Sequence, residues 1–245
     1  MRKISINQAV IFAGGKGTRL RPITANIPKP MVSINGIPFL DYLIKSIIDV
    51  GINNILILTG YQSNKIEDYY NNRKYDSLNI QFSRGEVSYK TGKRLISAFK
   101  MLDPFFLLVY GDNYWPIEFH KMINLYNSTD SLISTTVFSN KHGTGEYGLK
   151  NNTHVLDNRV LKYDKTMESK DLNCLDIGYF IVDKNAIDET EKNNISFEKE
   201  MLVSQIQHNK LSAHITHKQY YYITNNKSVN EFENFVIKNR IQHVI

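Results

Sequence analysis

The stretch Gln8 to Phe12 is a short apolar run that stops at Ala13-Gly14-Gly15, the pattern of a buried strand feeding a loop. Phe39, Leu40, Leu43, Ile44, Ile47 and Ile48 recur at helical spacing, and Gly51 follows as a stop signal. Asn54 to Leu58 predicts a second buried strand. A helix at Ile66 to Tyr70, a strand at Ile80 to Ser83 and a helix at Leu95 to Leu102 continue the alternation. Phe105 to Tyr110 is the most apolar strand and runs straight into Gly111-Asp112-Asn113. This order predicts an α/β fold with a mainly parallel sheet covered by helices on both faces. Ligands of such sheets sit beyond the carboxyl ends of the strands, where both glycine-bearing segments fall.

The second half is richer in strands. Leu132 to Phe138, Val160 to Tyr163, Ile177 to Val182, Leu211 to Ile215 and Tyr220 to Ile223 read as strands. Ile117 to Tyr126, Phe197 to His208 and Val229 to Arg240 read as helices. No linker, repeat or low-complexity segment interrupts the pattern, so a single domain of residues 1–245 is expected, its second half adding a mixed sheet region.

Composition narrows the function classes. A 42% apolar fraction with 22% interspersed charge is that of a globular protein. The formal charge of +6 comes without a Lys/Arg block long enough for a nucleic-acid tail, so no nucleic-acid partner is expected. No stretch approaches the length of a membrane span, and Ala9 to Ala13 is too short for a signal-peptide core. The single cysteine, Cys174, forms no internal disulfide, and a cytoplasmic setting is expected. The seven histidines show no ligand spacing and are expected to pack or face solvent.

The strongest chemical signal lies in Ala13 to Met31, which holds three glycines and three prolines. It reads Gly14-Gly15-Lys16-Gly17-Thr18-Arg19-Leu20-Arg21-Pro22, with Pro28-Lys29-Pro30-Met31 downstream. Glycines let a backbone approach phosphate and aim N–H groups at it, and Lys16, Arg19, Arg21 and Lys29 add positive charge. Lys16 precedes a glycine rather than Ser or Thr, so this is no Walker A loop, and the glycine spacing is not that of a dinucleotide fingerprint. Asp112, just past a buried strand, is placed to hold Mg2+. Taken alone, it reads more simply as a turn residue before the next helix.

GGKGTRLRP followed by PKPM resembles the signature of the sugar-phosphate nucleotidyltransferases, a family that includes glucose-1-phosphate thymidylyltransferases and mannose- and heptose-1-phosphate guanylyltransferases. The likeness is specific at the N-terminus and weaker along the rest of the chain. It implies a single Rossmann-like domain, residues 1–115 mainly binding nucleotide and 116–245 mainly binding sugar phosphate. By this resemblance Ala13, Gly14, Gly15, Gly17 and Thr18 wrap the nucleotide. Arg19 grips the triphosphate, Lys29 contacts the α-phosphate and the sugar phosphate, and Asp112 binds Mg2+. Gly92 falls where the family has a base-contacting glycine, and reads equally well as an ordinary loop residue. Gly148, in Glu146-Tyr147-Gly148, resembles the family's Tyr-Gly element. Asp164 and Lys165 resemble a Glu-Lys-Pro motif whose proline has become Thr166; by that resemblance Lys165 binds the sugar phosphate and Asp164 a sugar hydroxyl, while taken alone the two read as a surface charge pair. Gly178 resembles the glycine before the next strand.

The implied reaction joins an NTP and a sugar 1-phosphate into an NDP-sugar with release of pyrophosphate, for surface polysaccharide biosynthesis. It demands fixed cations rather than a strong base, because the phosphate nucleophile is already ionised at neutral pH. No Ser/His/Asp or Cys/His arrangement competes with that reading. Overall resemblance, including Gly111 to Pro116, favours a heptose-1-phosphate guanylyltransferase. Thymidylyl and cytidylyl transfer, and assembly as a homo-oligomer, stay open. One departure stands out: the family's late metal-binding aspartate falls at Tyr222, which leaves a non-catalytic nucleotide-sugar sensor as the rival from another class.

Overall fold

The computed structural model describes residues 3–73, 75, 77–139 and 151–244, which form an α/β structure. In chain order the first elements are β1 Gln8–Phe12, β2 Ser33–Ile34, β3 Ile37–Pro38, α1 Phe39–Ile48, β4 Asn54–Thr59, α2 Ser63–Asn71 and β5 Asn79–Arg84. Then come α3 Thr91–Ser97, β6 Phe105–Tyr110, β7 Asn113–Tyr114, α4 Phe119–Ser128 and β8 Ile133–Ser139. The rest are β9 Thr153–Leu156, β10 Arg159–Tyr163, β11 Cys174–Asp183, α5 Leu202–Gln207, β12 Leu211–Thr216, β13 Tyr221–Tyr222 and α6 Asn226–Asn239.

Contacts divide the chain into two units that interleave along the sequence. A loop-bearing unit comprises Asn7–Ser88, Val109–Ile117 and Gln219–Ile245; a strand-rich unit comprises Met1–Ile6, Tyr89–Leu108 and Glu118–Lys218. In the loop-bearing unit β1, β4 and β5 run parallel in the order β5–β4–β1. Ile55 to Thr59 are buried on both faces, which is why these strands read as continuous apolar runs. Helix α1 buries Phe39, Leu40, Leu43, Ile44 and Ile47, and Gly51 leaves it with φ 89. Helix α6 begins at a capping box, Asn225 accepting from the Ser228 N–H and the Ser228 hydroxyl accepting from the Asn225 N–H. Phe232 of α6 packs against Phe39, Tyr42 and Tyr114.

The strand-rich unit carries β11–β8–β12–β10–β9 and the first four residues of β6, whose last two, Val109 and Tyr110, belong to the loop-bearing unit. Here β12 and β8 are parallel, while β11–β8, β10–β12 and β10–β9 are antiparallel, the mixed region expected of the second half. All ten residues of β11 are buried. Two differences from the sequence pattern have physical causes. Strand β9 carries Thr153 and His154, too polar to announce a strand. Helix α3 starts at Thr91 rather than Leu95, because its first turn is tied by the Lys93 N–H to the Ile195 carbonyl at 3.0 Å, a long-range contact that overrides weak local propensity. No helix among the described residues is long and apolar enough to cross a membrane.

Candidate active site

In the loop-bearing unit, the glycine-rich segment leaves β1 as three short turns, Thr18–Leu20, Ile23–Ala25 and Lys29–Met31. Ala13 and Gly14 are buried at the strand end, while Gly15, Thr18 and Arg19 are exposed. Gly17 sits at φ 60, ψ 32, left-handed backbone that favours glycine. A Cβ there would come within 3.0 Å of the Lys29 Cβ and 3.2 Å of Thr24 Cγ2. The Thr24 hydroxyl donates to the Gly17 carbonyl at 2.7 Å, so the turn at Gly17 and the turn at Lys29 are packed as one piece. At Gly15 an added Cβ would meet nothing within 4 Å, so the chain's own packing does not call for glycine there.

Tyr61, just past β4, ties the start of this segment to its second turn. Its N–H donates to the Gly14 carbonyl at 3.1 Å, and its hydroxyl donates to the Ala25 carbonyl. Sequence reasoning missed Tyr61 and Thr24. Tyr61 did carry a signal, since Gly60-Tyr61 follows a buried strand as Ala13-Gly14 and Gly111-Asp112 do.

Lys29 is buried, its side chain 10% exposed, and its ammonium donates to Asp112 Oδ2 at 2.5 Å and to the Thr224 hydroxyl at 3.3 Å. The structure thus brings together two predicted residues 83 positions apart, plus Thr224, which the sequence did not single out. Gly111 explains how. Its N–H donates to the Phe12 carbonyl at 3.0 Å, and a Cβ at Gly111 would lie 2.5 Å from that oxygen. Only glycine lets the end of β6 lie this close to the end of β1, which carries Asp112 to the loop.

Tyr222 pairs with Asn113 across the β7–β13 ladder, and the Ile223 N–H donates to the Asp112 carbonyl at 3.0 Å. Burial pushes the Tyr222 phenol up; Glu231 adds to the shift and Arg19 opposes it, which places Arg19 in electrostatic reach of this ladder. Among the described residues no group of three or more His, Cys, Asp or Glu side chains is arranged to hold a metal. Mg2+ keeps waters and needs only one or two protein carboxylates beside substrate phosphates. The Asp112 carboxylate, 32% exposed at a strand end, fits that demand.

The remaining predicted residues lie in the strand-rich unit. A Cβ at Gly92 would meet the Ile195 carbonyl at 2.9 Å, so that glycine serves close packing of α3 on the segment before Phe197. Gly178 has φ 80, and its N–H donates to Asp176 Oδ1 at 3.0 Å where the β11–β8 register shifts. Asp176 also accepts from Thr135 at 3.0 Å and from the Tyr163 hydroxyl at 3.0 Å, and burial pushes its carboxyl up to about 6. Asp164 accepts from the N–H and hydroxyl of both Thr166 and Ser169; the Thr166 and Ser169 hydroxyls hold it well below the usual carboxylate range. Lys165 is half exposed and lies 3.5 Å from Glu198. Gly148 lies outside the described residues.

A family profile described as nucleotidyl transferase matches residues 8–227, running through residues of both units. A probable glucose-1-phosphate cytidylyltransferase of Bacillus subtilis is 30% identical over 217 residues, 80% of this chain and 82% of that protein. The D-glycero-alpha-D-manno-heptose 1-phosphate guanylyltransferase of Aneurinibacillus thermoaerophilus is 26% identical over 211 residues, 85% of this chain and 89% of that one. The bifunctional protein GlmU of Methanocaldococcus jannaschii is 30% identical over 189 residues, 77% of this chain but 43% of its own length. Among solved structures, HddC from Yersinia pseudotuberculosis complexed with GMP-PN superposes with a TM-score of 0.78 at 24% identity, over 94% of this chain and 99% of that one. UDP-glucose pyrophosphorylase complexed with UDP-glucose gives 0.77 at 19% identity, over 96% and 100%. At these identities the structural likenesses speak to the Rossmann-like fold.

Proposed function

The chain belongs to the nucleotidyl transferase family, and from that premise we propose that it transfers a nucleoside monophosphate from an NTP to a sugar 1-phosphate and releases pyrophosphate. The observation that carries this reading is the buried Lys29 ammonium on the Asp112 carboxylate, directly behind the Gly17 turn. A sugar-phosphate oxygen attacks the α-phosphorus in line with the departing pyrophosphate, and negative charge builds on the equatorial oxygens. Lys29 turns from Asp112 to those oxygens, and exposed Arg19 neutralises the leaving pyrophosphate. The open space at Gly15 gives backbone N–H groups access to phosphate. Asp112 and the substrate phosphates would hold Mg2+, which supplies Lewis-acid neutralisation of phosphate charge when bound.

For substrates we take GTP and a heptose 1-phosphate, with the product serving surface polysaccharide biosynthesis in the cytoplasm. Support comes from the heptose 1-phosphate guanylyltransferase relative, which aligns with 85% of this chain. The cytidylyltransferase relative makes CTP with glucose 1-phosphate the second pair to assay. The test is pyrophosphate release with Mg2+ over a panel of the NTPs and sugar 1-phosphates. Turnover with GTP and heptose 1-phosphate above every other pair is expected. Turnover with another pair corrects the substrates, and nucleotide-sugar binding with no turnover across the panel would favour the sensor.

A further inference from the structure

Glu198 belongs to the strand-rich unit and lies in the wide π turn Phe197–Met201 that leads into α5. Its side chain is 7% exposed. Oε2 accepts from the Thr91 hydroxyl at 2.6 Å and from the Ser196 hydroxyl at 2.6 Å, while Oε1 lies 3.5 Å from the Lys165 ammonium. The Thr91 hydroxyl in turn accepts from the Phe197 N–H at 2.9 Å. One carboxylate therefore joins three segments distant in sequence: the turn at Ser196, the start of α3 beside Gly92, and the loop that follows β10.

Withdrawing a carboxylate from water is costly unless cations and hydroxyls replace the lost hydration. Burial pushes Glu198 up, but Lys165, Ser196 and Thr91 outweigh it and hold the group below its usual value. Two hydroxyls on one oxygen would suffice to tie the turn to α3. The second oxygen does something else: it faces an ammonium on a chain half exposed to water. A long lysine side chain fixed before its ligand arrives has less rotamer freedom left to lose on binding.

We propose that Glu198 is a positioning residue that holds the Lys165 ammonium ready for the phosphate of the sugar 1-phosphate and couples that lysine to the segment carrying Gly92. This rests on the activity proposed above. Asp176, the other buried acid in electrostatic reach of Glu198, is turned to Thr135, Tyr163 and Gly178 and does not share the task.

Glu198→Gln separates the two oxygens' work, because the amide oxygen still accepts from Thr91 and Ser196 while the amide nitrogen turns Lys165 away. The assay uses GTP and heptose 1-phosphate, or whichever pair the panel finds active. The variant is expected to raise KM for the sugar 1-phosphate about tenfold, to leave KM for the NTP within about twofold, and to melt within about 3 °C of the parent. Lys165→Met should raise the same KM, and the double variant should be no worse than Lys165→Met alone. If Glu198→Gln does not fold, Glu198→Asp carries the same test, since its shorter carboxylate withdraws from Lys165. Equal effects on both KM values, no effect on either, or multiplying effects in the double variant overturns the inference while the activity stands. A parent enzyme inactive across the whole panel overturns both.

Discussion

Asp112 of the loop-bearing unit and the buried acids Asp176 and Glu198 of the strand-rich unit are held in different ways. In the loop-bearing unit Asp112 reaches a buried ammonium with one oxygen and keeps a third of its side chain exposed. In the strand-rich unit Asp176 is buried and enclosed by two hydroxyls and a backbone N–H, and buried Glu198 is held at one oxygen by two hydroxyls with the Lys165 ammonium facing the other. The first arrangement suits exchange, because both partners of an ion pair can be re-paired by an arriving phosphate and its counter-ion. The second suits construction, because satisfied buried polar groups specify one arrangement and resist rearrangement.

Substitutions that break this contrast should rank accordingly. Lys29→Ala and Asp112→Ala should each lower kcat for pyrophosphate release by roughly a hundredfold or more, the scale of one lost transition-state electrostatic contact. Near-normal turnover in either variant would contradict the exchange role. Gly111→Ala should destabilise the protein by about 2 kcal/mol in urea denaturation, since its Cβ has no room beside the Phe12 carbonyl.

The strand-rich unit should answer in its pH profile. Burial raises Asp176 from 3.8 to about 6, so the folded protein holds that proton more tightly than the unfolded chain. The stability this contributes is full below about pH 4 and is lost as pH rises through 6. Asp176→Asn should therefore flatten the stability change between pH 4 and 6 by about 2 kcal/mol, measured as urea midpoints. Glu118 behaves oppositely. Burial pushes it up, but Lys121, Thr216, Lys218 and His214 together bring it from 4.5 to about 2. Its contribution is present above pH 4.5 and lost as pH falls toward 2, and Glu118→Gln should remove about 1 kcal/mol of that acid-side slope.

The contrast also governs what the sequence disclosed. Ala13 to Met31 and Gly111-Asp112 were legible because glycines, prolines and cations crowd into short segments at the ends of apolar strands. The strands β1, β4 and β6 were legible as unbroken apolar runs, and the helix α1 from its helical spacing. The hydroxyl network was not, because Thr91, Ser196 and Thr135 are common residues whose role exists only through partners up to 107 positions away. Strand β9 was hidden for the same reason, its place being set by Asn173, whose side chain bonds the Val155 N–H and carbonyl. Tyr222 stood out in the sequence only as a departure from the resembled motif, and its pairing with Asn113 was not legible there.

Nucleotide titration in Mg2+ and in EDTA, on the parent and on Asp112→Ala, bears most directly on the claim that Asp112 and the glycine-rich loop hold a triphosphate with its divalent ion. Mg2+ should tighten NTP binding to the parent at least about tenfold and leave binding to the variant unchanged. Equal tightening in both proteins would contradict that claim.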